Sequence, residues 1–338
     1  MAIDRVTILG DGQMALVMAD ALAERGVGVR LWGPFPDQLE KLAETRRSPD
    51  RLPGFVLPDA VEVMADAAAA LDSVDLILNA IPTQFIRSVW TQHATHVPAG
   101  APVVCVSKGI ENGTMMRPTE IIADALGEKE GDRPECALSG PTIAAELARR
   151  LPATMVAAST DEALALTVQD LFRVKWLRVY RHADPVGVEI AGATKNVIAL
   201  AAGMIDGLGV GDNAKSALLA RGLAEIARLG VAMGAKQETF FGVAGVGDLA
   251  TTCFSPEGRN RTCGERLGKG ETLEQILETT VSVVEGVPTT KSVREVALAR
   301  DVDMPITMAV HKILFEGLAP MDAIWALMAR ERKTERIG

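Results

Sequence analysis

Aromatic side chains are scarce in this chain: 4 Trp, 1 Tyr and 8 Phe make up 4% of its 338 residues. With 48% hydrophobic and 23% charged residues, the composition is that of a soluble Ala/Leu/Val-rich α/β or helical protein, and disorder is excluded. An excess of basic charge is also missing. Lys and Arg number 35 against 44 Asp and Glu, for a net charge of −9, and no basic block follows a nucleic-acid backbone. Nucleic acid is therefore not an expected partner, although net charge says little about a local basic pocket for a small anion. The 4 cysteines, Cys105, Cys136, Cys253 and Cys263, fit no CxxC or zinc-ligand spacing and follow no secretory leader, which predicts reduced thiols in a cytoplasmic protein. His93 and His96 lie among Gln, Thr and Pro without a carboxylate, so they read as a solvated helix end and no metal is expected. No membrane span is expected either, because the most apolar later run carries a lysine at its middle.

What is present is organisation into two parts. A chain of this length exceeds a single core, which stops growing at roughly 250 to 300 residues. The first half alternates β-rich runs at 6–10, 27–32, 74–80 and 102–107 with Ala/Leu-rich helical segments such as 14–25 and 83–94. That order, with continuous apolar strands, predicts a parallel sheet covered on both faces, with further strands at 136–138, 153–158 and 175–180. After Asp184 the strand signal ends and helical periods take over at 186–207, 213–233, 246–252, 258–267, 286–300, 306–315 and 320–329. Asp184 and Pro185 read as the cap and first turn of the next helix, so the boundary is set between residues 184 and 185.

Gly10-Asp11-Gly12-Gln13-Met14-Ala15 follows the first strand and opens an apolar helix, the GxGxx(G/A) arrangement in its proper context. Gly10 permits the tight turn, Gly12 lets a pyrophosphate approach the backbone, and Ala15 allows close helix-to-strand packing. The helix N-terminus adds oriented N–H groups. Dinucleotide binding follows, but not which dinucleotide. Leu31-Trp32-Gly33-Pro34, where a ribose-binding acid or a phosphate-binding arginine is usual, has neither, and NAD and NADP both stay open.

Lys195 is the first candidate for chemistry. Glu189 and Lys195 are the sole ionisable residues between Val186 and Ile205, and a buried ammonium has to be repaid by pairing, a shifted pKa or a substrate. A salt bridge to Glu189 or another carboxylate is the alternative. Three other stretches carry polar chemistry, each with a structural alternative. Lys108 ends a strand at the sheet's carboxyl edge, or is a solvated cation there; Ser139-Gly140-Pro141-Thr142 offers N–H groups and a hydroxyl, or caps a helix. Asp248 follows the glycine-rich turn FFGVAGVG, or caps a helix; Gly258-Arg259-Asn260-Arg261 sets a planar cation beside an amide, suited to phosphate, or is a surface cluster.

Taken together these stretches resemble the NAD(P)-dependent glycerol-3-phosphate dehydrogenase family, in particular its bacterial members. The resemblance covers nearly the whole chain and rests on VSKGIE at 106–111, SGPTIAAELA at 139–148, GATKNVIALAAGMIDGLG at 192–209, RGLAEIARLG at 221–230, AGVGDLATTC at 244–253, RNR at 259–261, VVEGVPTT at 283–290 and MPIT at 304–307. It implies a Rossmann-like doubly wound domain (1–184) binding NAD or NADP, followed by an all-helical substrate domain (185–338), an architecture like that of 6-phosphogluconate dehydrogenase. It implies interconversion of dihydroxyacetone phosphate and sn-glycerol 3-phosphate, a precursor of glycerophospholipids, by a homodimer. By similarity Lys195 is the general acid/base, Lys108 and Asp248 act beside it, and substrate is held by Lys108, Gly140, Thr142, Lys195, Asp248, Gly258, Arg259 and Asn260. Gly10, Gly12, Gln13, Met14, Ala15, Lys108, Ala144, Arg259, Val283 and Glu285 fall on the cofactor side. The chain departs from the family pattern at Gln13 and Met14, where a small residue and an aromatic are usual, at Pro34, where a basic residue is common, and at Gly258, where serine is common. Two other readings stay open at this level: a relative acting on a different hydroxy acid, and a catalytically silent nucleotide sensor.

Overall fold

The computed structural model describes residues 3–129, 131–280, 282–331 and 334–335. The chain forms two compact units, the first comprising Met1–Ser107 and Pro118–Pro185, the second Lys108–Arg117 and Val186–Gly338. A single boundary at 184/185 therefore does not describe residues 108–117, which belong with the later helices.

The first unit is one eight-stranded sheet with helices between the strands. Its strands are β1 (Arg5–Leu9), β2 (Gly28–Trp32), β3 (Val61–Met64), β4 (Leu76–Asn79), β5 (Val103–Cys105), β6 (Glu135–Ser139), β7 (Ala153–Ala158) and β8 (Leu177–His182). Its helices are α1 (Gln13–Glu24), α2 (Pro36–Thr45), α3 (Ala67–Leu71), α4 (Thr83–His93), α5 (Pro118–Ala125), α6 (Ala144–Ala148) and α7 (Glu162–Leu171). The order β3-β2-β1-β4-β5-β6-β7-β8 winds outward from β1 in both directions, which makes the β1/β4 junction the switch point where such sheets bind ligands. β4 and β5 are buried at every residue, which is why they read as unbroken apolar runs.

Two features depart from the sequence expectation. β3 has no counterpart among the predicted strands: it is a four-residue edge strand with Glu62 exposed, too short for a periodic signal. The sheet is also not wholly parallel, because β7 runs antiparallel to β6 and β8 follows β7.

The second unit is helical: α8 (Pro185–Leu208), α9 (Asp212–Ala232), α10 (Asp248–Phe254), α11 (Arg259–Gly268), α12 (Leu273–Glu278), α13 (Gly286–Ala299), α14 (Pro305–Glu316) and α15 (Pro320–Met328). No strand occurs among its described residues. α8 is long and apolar enough to cross a membrane by length and composition, but every residue from Gly187 to Ile205 is buried within the protein, as in a core helix that is apolar all round. Several contacts tie the 108–117 arm to this unit, Ile110 packing in its core among them. Arg117 pairs with the buried Glu189 of α8, the Ser292 hydroxyl donates to the Ile110 carbonyl at 2.8 Å, and the Gly113 N–H donates to Glu295 at 3.4 Å.

Backbone fit between α8 and α11 is close enough to demand glycine. A Cβ at Gly203 would fall 1.9 Å from the Arg261 carbonyl oxygen, and one at Gly264 would fall 2.0 Å from that of Leu200. Because the obstacles are backbone atoms, neither helix yields by rotating a side chain. Gly264→Ala is expected to cost the second unit at least about 2 kcal/mol, the upper part of the overpacking range, as measured by denaturant unfolding.

Candidate active site

In the second unit the sequence FFGVAGVGD folds as a 3-10 turn (Gln237–Phe241) and a π turn (Val243–Gly247) that run straight into α10. A Cβ at Gly245 would sit 2.1 Å from the Phe240 carbonyl oxygen, so this tight path requires glycine. Its result is to deliver Asp248, the first residue of α10, into the interior at 1% exposure. Asp248 does not cap its helix. One carboxylate oxygen, Oδ1, accepts from Lys195 Nζ at 2.5 Å, and the other, Oδ2, accepts from Lys108 Nζ at 2.8 Å.

Lys195 comes from the middle of α8 and is 6% exposed. The candidate partner Glu189 is occupied by Arg117, so the pairing falls to Asp248. Lys108 lies beyond the end of β5, half-buried, and faces Asp248 rather than solvent. Burial is the largest influence on Lys195 and lowers its pKa from 10.5 to about 8; Asp248 opposes the shift and the neighbouring Lys108 charge adds to it. A lysine in that range exchanges its proton near physiological pH.

Thr252 completes the group, and nothing in the sequence reading singled it out. Its hydroxyl donates to the Asp248 carbonyl at 2.7 Å and accepts from Lys195 Nζ at 2.6 Å. The signal was present in the i, i+4 spacing from Asp248, which puts both on one face of α10.

Arg259 and Asn260 open α11, with Gly258 at its N-cap. Arg259 is exposed, yet enough protein surrounds it for desolvation to lower its pKa, with Glu285 acting in the opposite direction. The guanidinium stays cationic and open to a ligand. Asn260 is buried, and its Oδ1 accepts the Gly286 N–H at 2.9 Å, so its oxygen is committed to holding the start of α13. Arg261 is an internal ion-pair residue, bound to Asp206 at 2.6 Å and Glu265 at 3.1 Å. Val283 is exposed and Glu285 half-buried just before α13.

In the first unit the glycine loop lies at the switch point. Gly10 has φ +120°, its N–H donates to the Trp32 carbonyl at 2.7 Å, and a Cβ there would meet the Ala80 carbonyl oxygen at 2.8 Å. Gly12 is different: a Cβ there would meet nothing within 4 Å. The fold itself does not need glycine at 12, but a phosphate approaching the first turn of α1 does, and that turn has no side-chain cap. Ala15 is fully buried and Met14 half-buried, while the Gln13 side chain donates to the Arg51 carbonyl. These residues fit a dinucleotide pyrophosphate. Gly140 (φ +152°) and Thr142 follow β6, where the Thr142 hydroxyl donates to the Gly140 carbonyl at 3.1 Å and so does not cap α6. Ala144, the first residue of α6, is buried. His93 ends α4 with its ring edge-on to Trp32, and no group of three or more His, Cys, Asp or Glu able to hold a metal occurs among the described residues.

Comparison with known proteins matches residues 5–165 to the NAD-dependent glycerol-3-phosphate dehydrogenase N-terminus and residues 184–325 to the corresponding C-terminus. Relatives named glycerol-3-phosphate dehydrogenase [NAD(P)+] include one from Salinibacter ruber, 46% identical across 98% of this chain and 96% of that protein. The chain belongs to the NAD-dependent glycerol-3-phosphate dehydrogenase family. A Geobacillus kaustophilus member is likewise 46% identical over 98% of this chain and 96% of its own length. The crystal structure of the Coxiella burnetii glycerol-3-phosphate dehydrogenase superposes with a TM-score of 0.92 at 33% identity, covering 97% of this chain and 99% of that one.

The shared carboxylate makes a stability prediction for this family member. Asp248→Asn removes the charge that offsets the buried Lys195 ammonium and is expected to cost about 3 kcal/mol or more, whereas Thr252→Val costs about 1 kcal/mol. Denaturant unfolding of the two variants checks the difference.

Proposed function

We propose that this chain interconverts dihydroxyacetone phosphate and sn-glycerol 3-phosphate with NAD or NADP, Lys195 acting as general acid in reduction and general base in oxidation. The observation that carries the reading is the buried Lys195 ammonium, brought to a pKa of about 8 beside Asp248 in a member of this dehydrogenase family. When bound, the nicotinamide supplies or accepts the hydride. The Gly10–Ala15 turn would hold its pyrophosphate, with Gln13, Met14 and Ala144 beside it in the first unit and Lys108, Arg259, Val283 and Glu285 as cofactor-side positions in the second.

During ketone reduction negative charge grows on the carbonyl oxygen, and Lys195 Nζ donates the proton that cancels it. Asp248 keeps enough of the lysine protonated to do so, and Lys108 keeps the proton from being held too tightly. In the oxidation direction the neutral amine takes the hydroxyl proton. Arg259 binds the substrate phosphate through its guanidinium, with the Asn260 side-chain N–H2 as a further donor beside the Gly258 position, whose own N–H donates to the Ser255 carbonyl at 3.2 Å; anchoring the phosphate orients the reacting carbon. In the first unit Gly140 and Thr142 are the proposed substrate positions. Residues 1–184 thus carry the glycine loop for the dinucleotide and 185–338 the acid/base and phosphate groups, with Gly140 and Thr142 adding to the substrate side and Arg259, Val283 and Glu285 to the cofactor side. The reading extends to a cytoplasmic homodimer feeding glycerophospholipid synthesis; four buried cysteines outside any disulfide support the reducing compartment, and family resemblance supports the rest.

The test is turnover of dihydroxyacetone phosphate with NADH and with NADPH in parallel. Lys195→Ala is expected to lose roughly 100- to 10,000-fold in turnover, while keeping its melting transition. Wild-type turnover in a folded Lys195→Ala protein would show the assignment to be wrong. The pH dependence has opposite signs in the two directions. Reduction needs the protonated lysine and falls as pH rises through about 8, whereas oxidation needs the neutral amine and rises through the same value.

A further inference from the structure

The end of β2 has no ionisable residue of its own, only Gly33 and Pro34, at the distance from the glycine loop where a carboxylate ordinarily reads the adenosine ribose. The structure shows why a side chain is missing there. A Cβ at Gly33 would lie 2.6 Å from Asp11 Cγ, 2.8 Å from Asp11 Cβ and 3.0 Å from Asp11 Oδ1. The carboxyl group of Asp11, from inside the glycine loop, fills the space a residue at position 33 would use.

A buried carboxylate needs a partner, and Asp11 has one that the sequence does not place nearby. Arg51 Nη1 pairs with Asp11 Oδ1 at 2.6 Å and donates to the Asp11 carbonyl at 2.6 Å, while Nη2 donates to Gln38 Oε1 in the first turn of α2. The Arg51 carbonyl in turn accepts from Gln13. The pair is not sealed off, since 8% of the Asp11 side chain and 21% of the Arg51 side chain stay exposed.

We propose that Asp11 and Arg51 together discriminate the 2′ position of the adenosine ribose, Asp11 accepting from a 2′-hydroxyl and Arg51 offsetting its charge so that a 2′-phosphate is also admitted. The proposal rests on the dinucleotide reading of Gly10–Ala15. A carboxylate alone at this place repels a phosphate dianion, and a guanidinium alone attracts it through paired N–H donors. A joined pair does neither strongly. The consequence is that removing either charge tips the preference, in opposite directions.

Calorimetric titration of NADH and NADPH into the full chain, without substrate, reads this directly. The parent is expected to bind both with dissociation constants within about tenfold of each other. Asp11→Asn is expected to shift the ratio towards NADPH by at least about fivefold, Arg51→Gln towards NADH by a similar factor, and the double variant to return to the parent ratio. Arg51→Lys, which keeps the charge, retains the parent preference. If Arg51→Gln merely loosens the loop, both constants rise together and the ratio is unchanged; an unchanged ratio in both single variants, each folded by thermal melt, overturns the proposal. A parent that binds neither dinucleotide overturns the glycine-loop reading itself, and is told apart by the absence of any titration signal.

Discussion

One carboxylate shared between two lysines is the constraint around which the second unit is arranged. An ammonium in the middle of a core helix has no stable place without compensation, and Asp248 supplies it at 2.5 Å while also holding Lys108 at 2.8 Å. The compensation is incomplete by design of the surroundings: burial and the second cation leave Lys195 well below an ordinary lysine. A fully satisfied pair would be inert near neutral pH. An unsatisfied one would not be tolerated in the core.

The rest of the second unit holds those three groups, and Arg259 at the start of α11, in place. A glycine-lined π turn brings Asp248 inward, and the 108–117 arm, anchored through Arg117 to Glu189, brings Lys108. Backbone contact at Gly203 and Gly264 fixes α11, which opens on Arg259, against α8, which carries Lys195. Glu189, the other charge in the apolar run of α8, therefore has a structural duty of its own. In the first unit Gly10 sits where the fold excludes a Cβ, and Gly12 where a Cβ would meet nothing within 4 Å.

Much of this was legible in the sequence because it depends on local pattern. Strand runs such as VTILG and helical periods such as 186–207 match observed elements to within a few residues, though neither β3 nor the short α12 is among the elements so matched, and the isolation of Lys195 in an apolar run marked it before any partner was known. What escaped depends on pairing across distance. The direction of β7 is a matter of its pairing with β6 across the sheet, which the composition of the strand does not record, and β3 is too brief and too exposed at Glu62 to announce itself. Sequence alone left Lys195 between Glu189 and another carboxylate, because nothing local says that Arg117 already claims Glu189. Thr252 and the Asp11–Arg51 pair escaped for the same reason: each acquires its role from a neighbour that only folding supplies.

Burial, with Lys108 alongside, lowers the proton affinity of Lys195 by more than the shared carboxylate of Asp248 raises it. Heteronuclear NMR titration of the Lys195 Nζ signal, assigned by its loss in a Lys195→Arg variant, measures that affinity without reference to turnover. A midpoint near 8 is expected. A midpoint at the ordinary lysine value of 10.5 would contradict it, and would leave Lys195 as a structural ion-pair partner of Asp248.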